Sequence, residues 1–524
     1  MLMNPAQLNL NEVFDLPMLV RRASARWGNR IALTFDPQGT RISFNDVERI
    51  TNQYANALCA NGVQPGDRVA LMLRNSPQWP LAWLGIVKAG AVMVPLNVYY
   101  QSVDASYLLD HAEVSIVICE MEFVTLISQV DKNIRVIAAQ EIEQQVCETS
   151  HNAPSVKVSA QSLANIQYTS GTTGPPKGCM LSNAWFLRFA QRMAVSPPGL
   201  SESDVLLTAQ PFYYVDPQWN VALSLLVGAE LVILDRFHPS TFWQRIKQHK
   251  ITWFYCLGVM PKLMLKIPEH PSDRDHSVRF VACSAIPARD HQAIEQRWGV
   301  PWYEYFGMTE SGLDITVPPE HHDDLVGSGC IGQPMVTREA QIVNNEDKPV
   351  PDGQVGNLVL RGPGLLDAYY RNPEATAQLF RNGWLHTGDL ARMDDKGLIY
   401  YMGRVKDMIR RSGENIAAAE VEDVITQHES VKLAACVPVE DDLRGEEVKV
   451  YVVLQPGVTK EDVTPDLLAA FCKQRIAYFK VPRYWTYETD LPRTPSEKIM
   501  KSAITDGETD LRNGAYDCVD ACWR

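Results

Sequence analysis

The sequence predicts an α/β protein whose large N-terminal domain is built from parallel sheets covered by helices. Three observations carry this. Short β-rich runs alternate with longer helical patterns over the first 320 residues, which implies strand–helix–strand units. The texture then changes to dense Gly/Pro/Asp turns with short strands between them, as in "VPDGQVGNLVLRGPG", which marks a small β-rich subdomain over 320–403. A fresh pattern of helix, two strands and helix follows, a compact α+β unit of about 120 residues.

Strands are expected at "RVALML" (68–73), "VSIVIC" (114–119), "VLLTAQ" (205–210), "AELVIL" (229–234), "ITWFYCL" (251–257) and "VRFVAC" (278–283), with helices such as "STFWQRIKQHK" between them. The C-terminal unit reads as helix "AAAEVEDVITQH", strands "LAACVPV" and "VKVYVVLQ", and helix "EDVTPDLLAAFCKQRI". From about Gly507 the tail is polar and is expected to be loosely held.

Composition bounds the function. The 524 residues are 46% hydrophobic and 21% charged, typical of a globular chain large enough for two or more domains. A net charge of −13 offers no electrostatic attraction to nucleic acid or an anionic membrane. The start lacks a secretory-signal pattern, and the most apolar window is interrupted by Lys88, so no membrane span is expected. Eleven scattered cysteines, mostly within apolar runs, read as reduced core residues of a cytoplasmic protein. The tail pair Cys518 and Cys522 lacks the further ligands of a zinc site.

The stretch "TSGTTGPPKG" (169–178) packs three glycines, four hydroxyl residues and one lysine into ten positions. Successive small residues let backbone N–H groups converge on phosphate oxygens, and Lys177 adds a point charge. A strand before it and a helix directly after it are expected. It is no Walker A loop, because Pro176 precedes the lysine and Gly178 follows it.

Five motifs in order resemble the acyl-adenylate-forming superfamily of acyl- and aryl-CoA ligases, peptide-synthetase adenylation domains and luciferases. They are "YTSGTTGPPKG", "YFGMTE" (305–310), "GWLHTGDL" (383–390), "GRVKDMIRRSGENIAAAEVE" (403–422) and "LPRTPSEKIMK" (491–501), and the likeness spans essentially the whole chain. It implies ATP-dependent activation of a carboxylate as acyl-AMP, then transfer to a thiol. Thr169, Ser170, Gly171, Thr172, Thr173, Gly174 and Lys177 would then grip the phosphates. Thr309 would bond the α-phosphate and Glu310 would hold Mg²⁺. Tyr305 and Phe306 would offer adenine an aromatic face beside Gly307, and Ser284 and Ala285 of "CSAIP" would line the adenine. Asp389 would accept from the ribose hydroxyls with Arg404 assisting. Lys498 would contact the reacting carboxylate and α-phosphate. The resemblance divides the chain into an N-terminal domain (1–403), a hinge (404–407) pivoting on Lys406, and a mobile catalytic lid (408–524). Ser412, Gly413 and Glu414 would turn toward the incoming CoA.

The sequence departs from the family pattern at Phe306, where Tyr is usual, at Glu497, where Gly is frequent, and at Tyr214, where many acyl-CoA ligases carry His. The acid-binding wall is expected in "QPFYYVDPQWN" (210–220), with Tyr213, Tyr214, Asp216 and Trp219. Its surroundings resemble crotonobetaine/carnitine–CoA ligases, which carry an Asp here. Asp216 is open to two readings: partner of an ammonium-bearing acid, with the three aromatics as a cage or merely filling space, or a residue that caps a helix near Trp219 or faces solvent. Also open are a carrier-protein phosphopantetheine or non-thiol acceptor in place of CoA, a non-catalytic adenylate-binding role, and a homodimer.

Overall fold

The short apolar runs become strands where their periodicity places them. The computed structural model describes residues 8–36, 38–130, 133–169, 176–257, 259–404, 407–411, 414–441, 444–493, 499–508 and 510–524, with backbone alone at Arg410, Glu414 and Asn415. The described residues form two compact units, a larger one of 8–169, 176–339 and 360–383 and a smaller one of 340–359 and 384–524. That boundary falls ahead of the 403/404 division expected from the sequence.

The larger unit carries two sheets. In one, the order is Arg135–Ala138, Val114–Cys119, Arg68–Met72, Val92–Pro95, Leu163–Thr169 and Lys177–Ser182. All pairings are parallel except the last. In the other, Ile31–Asp36, Glu230–Leu234, Val205–Thr208, Trp253–Leu257, Phe280–Ser284 and Trp302–Met308 run parallel in that order. Antiparallel pairing resumes at Gly312–Thr316. Most interior positions of the parallel strands are buried, as expected where helices cover both faces. Lys88 is 4% exposed at the end of helix Gln78–Lys88, where Glu48 Oε2 and Asn52 Oδ1 each accept from its Nζ at 2.6 Å. Burial pushes its pKa down to about 8 against the pull of Glu48. No described helix is long and apolar enough to cross a membrane.

The phosphate-loop context differs from the expected strand–loop–helix. Lys177–Ser182 is a strand, paired antiparallel with Leu163–Thr169 (Thr169 opposite Lys177), and the helix starts only at Asn183 after the Ser182 cap. Gly178 explains the choice. It is a poor helix former, and a Cβ there would lie 2.7 Å from the Ile166 Cγ2 methyl of the partner strand, so the side chain of Ile166 packs over the space that glycine leaves.

In the smaller unit a seven-stranded sheet among the described residues runs from Glu414–Ala417 to Cys522–Trp523. Helices Ala418–Thr426 and Pro465–Lys473 bury Val421, Ile425 and Leu468 against Val448, Val450 and Trp485. The second helix begins at Pro465, later than expected. A proline fits the first helical turn but not a helix interior, and Thr464 caps it. Strands Trp384–Met393 and Ile399–Arg404 pair antiparallel in this unit.

The tail is tied down, contrary to expectation. Tyr516–Asp517 adds to the sheet edge at Tyr484–Glu488. Asp517 is fully buried and accepts from Arg483 Nε and Nη2 at 3.0 Å each. Arg524 also donates to it. These guanidiniums hold the Asp517 carboxyl far below the usual carboxylate range, against the opposing effect of burial. The polar residues that suggested looseness are the ones that anchor the tail.

Candidate active site

In parallel sheets, ligands gather at the carboxyl ends of the strands. In the larger unit those ends carry Ser284 and the Tyr305–Met308 segment. Strand alternation decides which side chain faces where. Tyr305 is 1% exposed, with its hydroxyl 3.3 Å from Ser196 Oγ, while Phe306 is half-exposed. Of the two expected adenine-facing rings, only Phe306 therefore presents a face; Tyr305 belongs to the core. Gly307 is required sterically, since a Cβ there would stand 2.0 Å from the Gly312 carbonyl of the returning strand.

The turn after Ser284 is fixed by polar groups. Ser284 Oγ donates to the Tyr305 carbonyl at 2.6 Å and accepts from the Tyr255 hydroxyl at 2.9 Å. Ala285 has φ +63°. The backbone N–H groups of Ala285 and Ile286 donate to the two oxygens of Glu304 at 2.6 and 2.7 Å.

On the phosphate side, segment 366–370 binds the strand that carries Lys177. Met180 N donates to the Ala368 carbonyl, and Tyr370 N to that of Gly178. Leu366 N donates to the Glu310 carbonyl at 2.7 Å. This crossing sets Tyr369 between the two charged groups. Its hydroxyl donates to Glu310 Oε1 at 2.7 Å, and Lys177 Nζ lies 5.1 Å from its ring centroid. Glu310 is buried, and Thr309 beside it is half-exposed. Cys179 is buried next to Glu310, and desolvation, reinforced by that carboxylate, pushes its thiol well up. A carboxylate near the lysine expected to bind phosphate is the oxygen donor Mg²⁺ prefers, so Glu310 fits that ion.

The wall segment opens helix Val215–Val227. Asp216 stands half-buried in its first turn, where a negative charge suits the helix N-terminus. The Trp219 indole N–H points to Asp216 Oδ1 at 3.4 Å. Trp219 itself is fully buried, stacked on Phe189 at 4.5 Å and against Tyr255 at 5.3 Å. It is a core residue beneath the wall and not a face of a cage. The Tyr213 and Tyr214 rings lie 4.8 Å apart. Burial raises the pKa of Tyr214 and of Tyr255, and the Asp216 charge adds to both shifts. The carboxylate thus sits in the field of the wall and of the residue that bonds Ser284.

Buried amides join this segment to the strand Leu163–Thr169. Gln218 Nε2 donates to the Phe212 and Tyr214 carbonyls and to Gln167 Oε1, and Asn165 Nδ2 donates to Gln218 Oε1 at 2.6 Å. Gln167 Nε2 donates to the Tyr213 carbonyl at 2.9 Å.

In the smaller unit, Arg404 Nε pairs with Asp389 Oδ1 at 2.8 Å, and the Tyr401 hydroxyl reaches the same oxygen at 3.5 Å. Asp389 is 1% exposed. Ser170, Gly171, Thr172, Thr173, Gly174, Lys406, Ser412, Gly413 and Lys498 lie outside the described residues, as does the side chain of Glu414.

One further cluster has metal-ligand spacing: His291, Glu295 and His322. Its groups are already engaged with one another. His322 Nε2 is 2.7 Å from Glu295 Oε1, His291 Nε2 is 2.9 Å from the Trp302 carbonyl, and Trp302 N donates to Glu295 Oε1 at 2.6 Å. These contacts hold Glu295, despite its burial, at a pKa of about 2.

Comparison with known proteins settles the class. The AMP-binding enzyme model matches residues 20–370, and the model of that enzyme's C-terminal domain matches 420–498. The chain belongs to the AMP-binding enzyme family. The crotonobetaine/carnitine–CoA ligase of Citrobacter koseri is 31% identical over 508 residues, covering 91% of this chain and 96% of that protein. ATP-bound MatB from Rhodopseudomonas palustris superposes with a TM-score of 0.85 at 25% identity, covering 93% of this chain and 98% of that one. The o-succinylbenzoate CoA synthetase MenE of Bacillus subtilis, in complex with its acyl-adenylate, gives 0.84 at 25% identity, covering 95% and 99%.

As a member of this AMP-binding enzyme family the chain is an acyl-CoA synthetase that uses ATP and CoA. A carboxylate and ATP give acyl-AMP and pyrophosphate; CoA then displaces AMP to give the acyl-CoA.

Proposed function

We propose that this acyl-CoA synthetase activates a carboxylic acid bearing an ammonium or amine group several bonds from its carboxylate. The observation that carries the reading is Asp216, a carboxylate half-buried next to the paired Tyr213 and Tyr214 rings. A partly desolvated carboxylate is stabilised by a cation, and tyrosine faces favour one as well. The 31% identity to a ligase named for crotonobetaine and carnitine supports the same class.

The residues take these parts in the proposal. A carboxylate is a poor electrophile because hydroxide leaves badly, and adenylation supplies AMP as the leaving group. Charge develops on the α-phosphate and pyrophosphate as the bond forms, so fixed cations and N–H donors are required there. Thr169 to Gly174 and Lys177 hold the β/γ-phosphates, Thr309 the α-phosphate, and Lys498 the carboxylate and bridging oxygen. Glu310, oriented by Tyr369, would hold Mg²⁺, which would neutralise phosphate charge. Ser284, Ala285 and Phe306 seat the adenine; Asp389 and Arg404 hold the ribose. After adenylation the lid turns about Lys406 within 404–407, withdrawing Lys498 and bringing Ser412, Gly413 and Glu414 toward CoA. The enzyme works in the cytoplasm.

Pyrophosphate release measured across a panel of carboxylic acids, with and without CoA, tests this reading. The expected result is highest kcat/KM with a cationic acid and release of AMP only when CoA is present. Preference for a plain aliphatic or aromatic acid would overturn the substrate assignment.

A further inference from the structure

Glu304 is a buried carboxyl group with no part in the scheme above. It lies on the strand Trp302–Met308, opposite Cys283 in parallel register. It is 8% exposed, and desolvation pushes its pKa up to about 8 despite the two backbone hydrogen bonds that oppose the shift. Burial of such a group is unfavourable unless its hydrogen bonds do something the fold needs.

What they hold is specific. Each oxygen accepts one backbone N–H, from Ala285 and Ile286, at 2.6 and 2.7 Å. Ala285 stands at φ +63°, a conformation a non-glycine residue adopts only when its surroundings enforce it. Upstream, Ser284 is locked by the Tyr305 carbonyl and the Tyr255 hydroxyl. Glu304 is itself fixed, since its own carbonyl accepts from Thr316 Oγ1 at 3.0 Å. The strained turn is therefore clamped from the neighbouring strand, at the carboxyl end of the sheet.

We propose that Glu304 is a positioning residue for the nucleotide: its carboxyl group holds the Ser284–Ile286 turn in the one conformation that seats the adenine ring. The proposal rests on the assignment of 283–287 to the adenine subsite. Glu304 does not touch the nucleotide; it acts through the two N–H groups. A glutamine retains the shape but offers one acceptor oxygen and sets an N–H₂ against the second N–H. The turn then loses one hydrogen bond to a carboxyl group, worth roughly 10-fold in binding.

The test is steady-state kinetics of pyrophosphate release by the full chain and Glu304→Gln, with ATP and GTP as nucleotides. Expected are a KM for ATP raised roughly 10-fold, an unchanged KM for the acid, kcat within a few-fold of the parent, and a smaller preference for ATP over GTP. A general loss of structure would move both KM values and leave the nucleotide preference alone, and that outcome overturns the proposal. If Glu304→Gln does not fold, Glu304→Asp, which keeps the carboxyl on a shorter stem, must show the same ATP-selective rise; an unchanged KM for ATP in any folded variant also overturns it. Ala285→Leu separates the premise from the inference. If it leaves the KM for ATP unchanged, the adenine assignment is wrong. If it raises that KM while Glu304→Gln does not, the assignment stands and the role of Glu304 falls.

Discussion

On the side of the larger unit expected to take the nucleotide, directional polar contacts hold the groups in place: Ser284 Oγ lies between the Tyr255 hydroxyl and the Tyr305 carbonyl, the Ala285 N–H donates to Glu304, and Glu310 accepts from the Tyr369 hydroxyl. On the acyl wall the rings of Tyr213 and Tyr214 pack on each other, and buried amides hold the wall by its backbone carbonyls. The difference follows the chemistry. Transfer to the α-phosphate is common to the whole reaction class, so charge-stabilising groups need one geometry, and directional hydrogen bonds provide it. An acid pocket needs a shape and, under the proposed substrate class, a charge. Backbone anchoring leaves the wall's side chains free to differ while the strand beneath them stays in place.

That contrast can be broken first at Lys498, whose loss carries the largest expected effect. Lys498→Ala should slow adenylation roughly 100- to 1000-fold, as deletions of a single electrostatic stabiliser do, and should spare thioester formation from supplied acyl-AMP. Single-turnover assay of each half-reaction measures both, and an intact first half-reaction removes Lys498 from the mechanism. Next comes Glu310→Gln, which keeps shape but deletes the anionic oxygen. Adenylation should fall about 100-fold, with a higher Mg²⁺ concentration needed for half-maximal rate; an unchanged Mg²⁺ titration would exclude Glu310 as the ligand. The smallest effect is expected at Tyr369→Phe, which leaves Glu310 in place without its hydroxyl partner. A hydrogen bond to a charged group amounts to roughly 10-fold, read as a rise in half-saturating Mg²⁺ with the KM for the acid unmoved. An equal rise in both would mean that Tyr369 serves the fold and not the carboxylate.

Local patterns made much of this legible. The strands Val114–Cys119 and Glu230–Leu234 stand where alternation and β-branching put them, and the motif residues Lys177, Ser284 and Glu310 stand at strand ends or next to them. What escaped was non-local. Glu304 and Ala285 are 19 positions apart, and Tyr369 and Glu310 are 59 apart, so no window of sequence contains either pair. The polar Asn165 and Gln167 at alternate positions of a buried strand were the visible trace of the amide network. The stretch from Cys179 to Ser182 reads as helix in the sequence because its apolar residues run on without a break into the helix from Asn183, and only its pairing with Leu163–Thr169 makes it strand. Trp219 looked like a cage residue because aromatic character is visible in sequence while burial under Phe189 is not.

The claim that the acyl wall selects by charge is tested most directly by kcat/KM for a cationic acid against its neutral isostere, in the parent chain and in Asp216→Asn. Asparagine keeps the shape and hydrogen bonding of the first helical turn and removes only the charge. Loss of a desolvated charge pair amounts to about 2–5 kcal/mol, so preference for the cationic acid should drop by roughly 30-fold or more while turnover of the neutral acid stays nearly the same. If the parent prefers the neutral acid, and Asp216→Asn leaves that preference untouched, Asp216 is a helix-terminus residue and the wall does not select by charge.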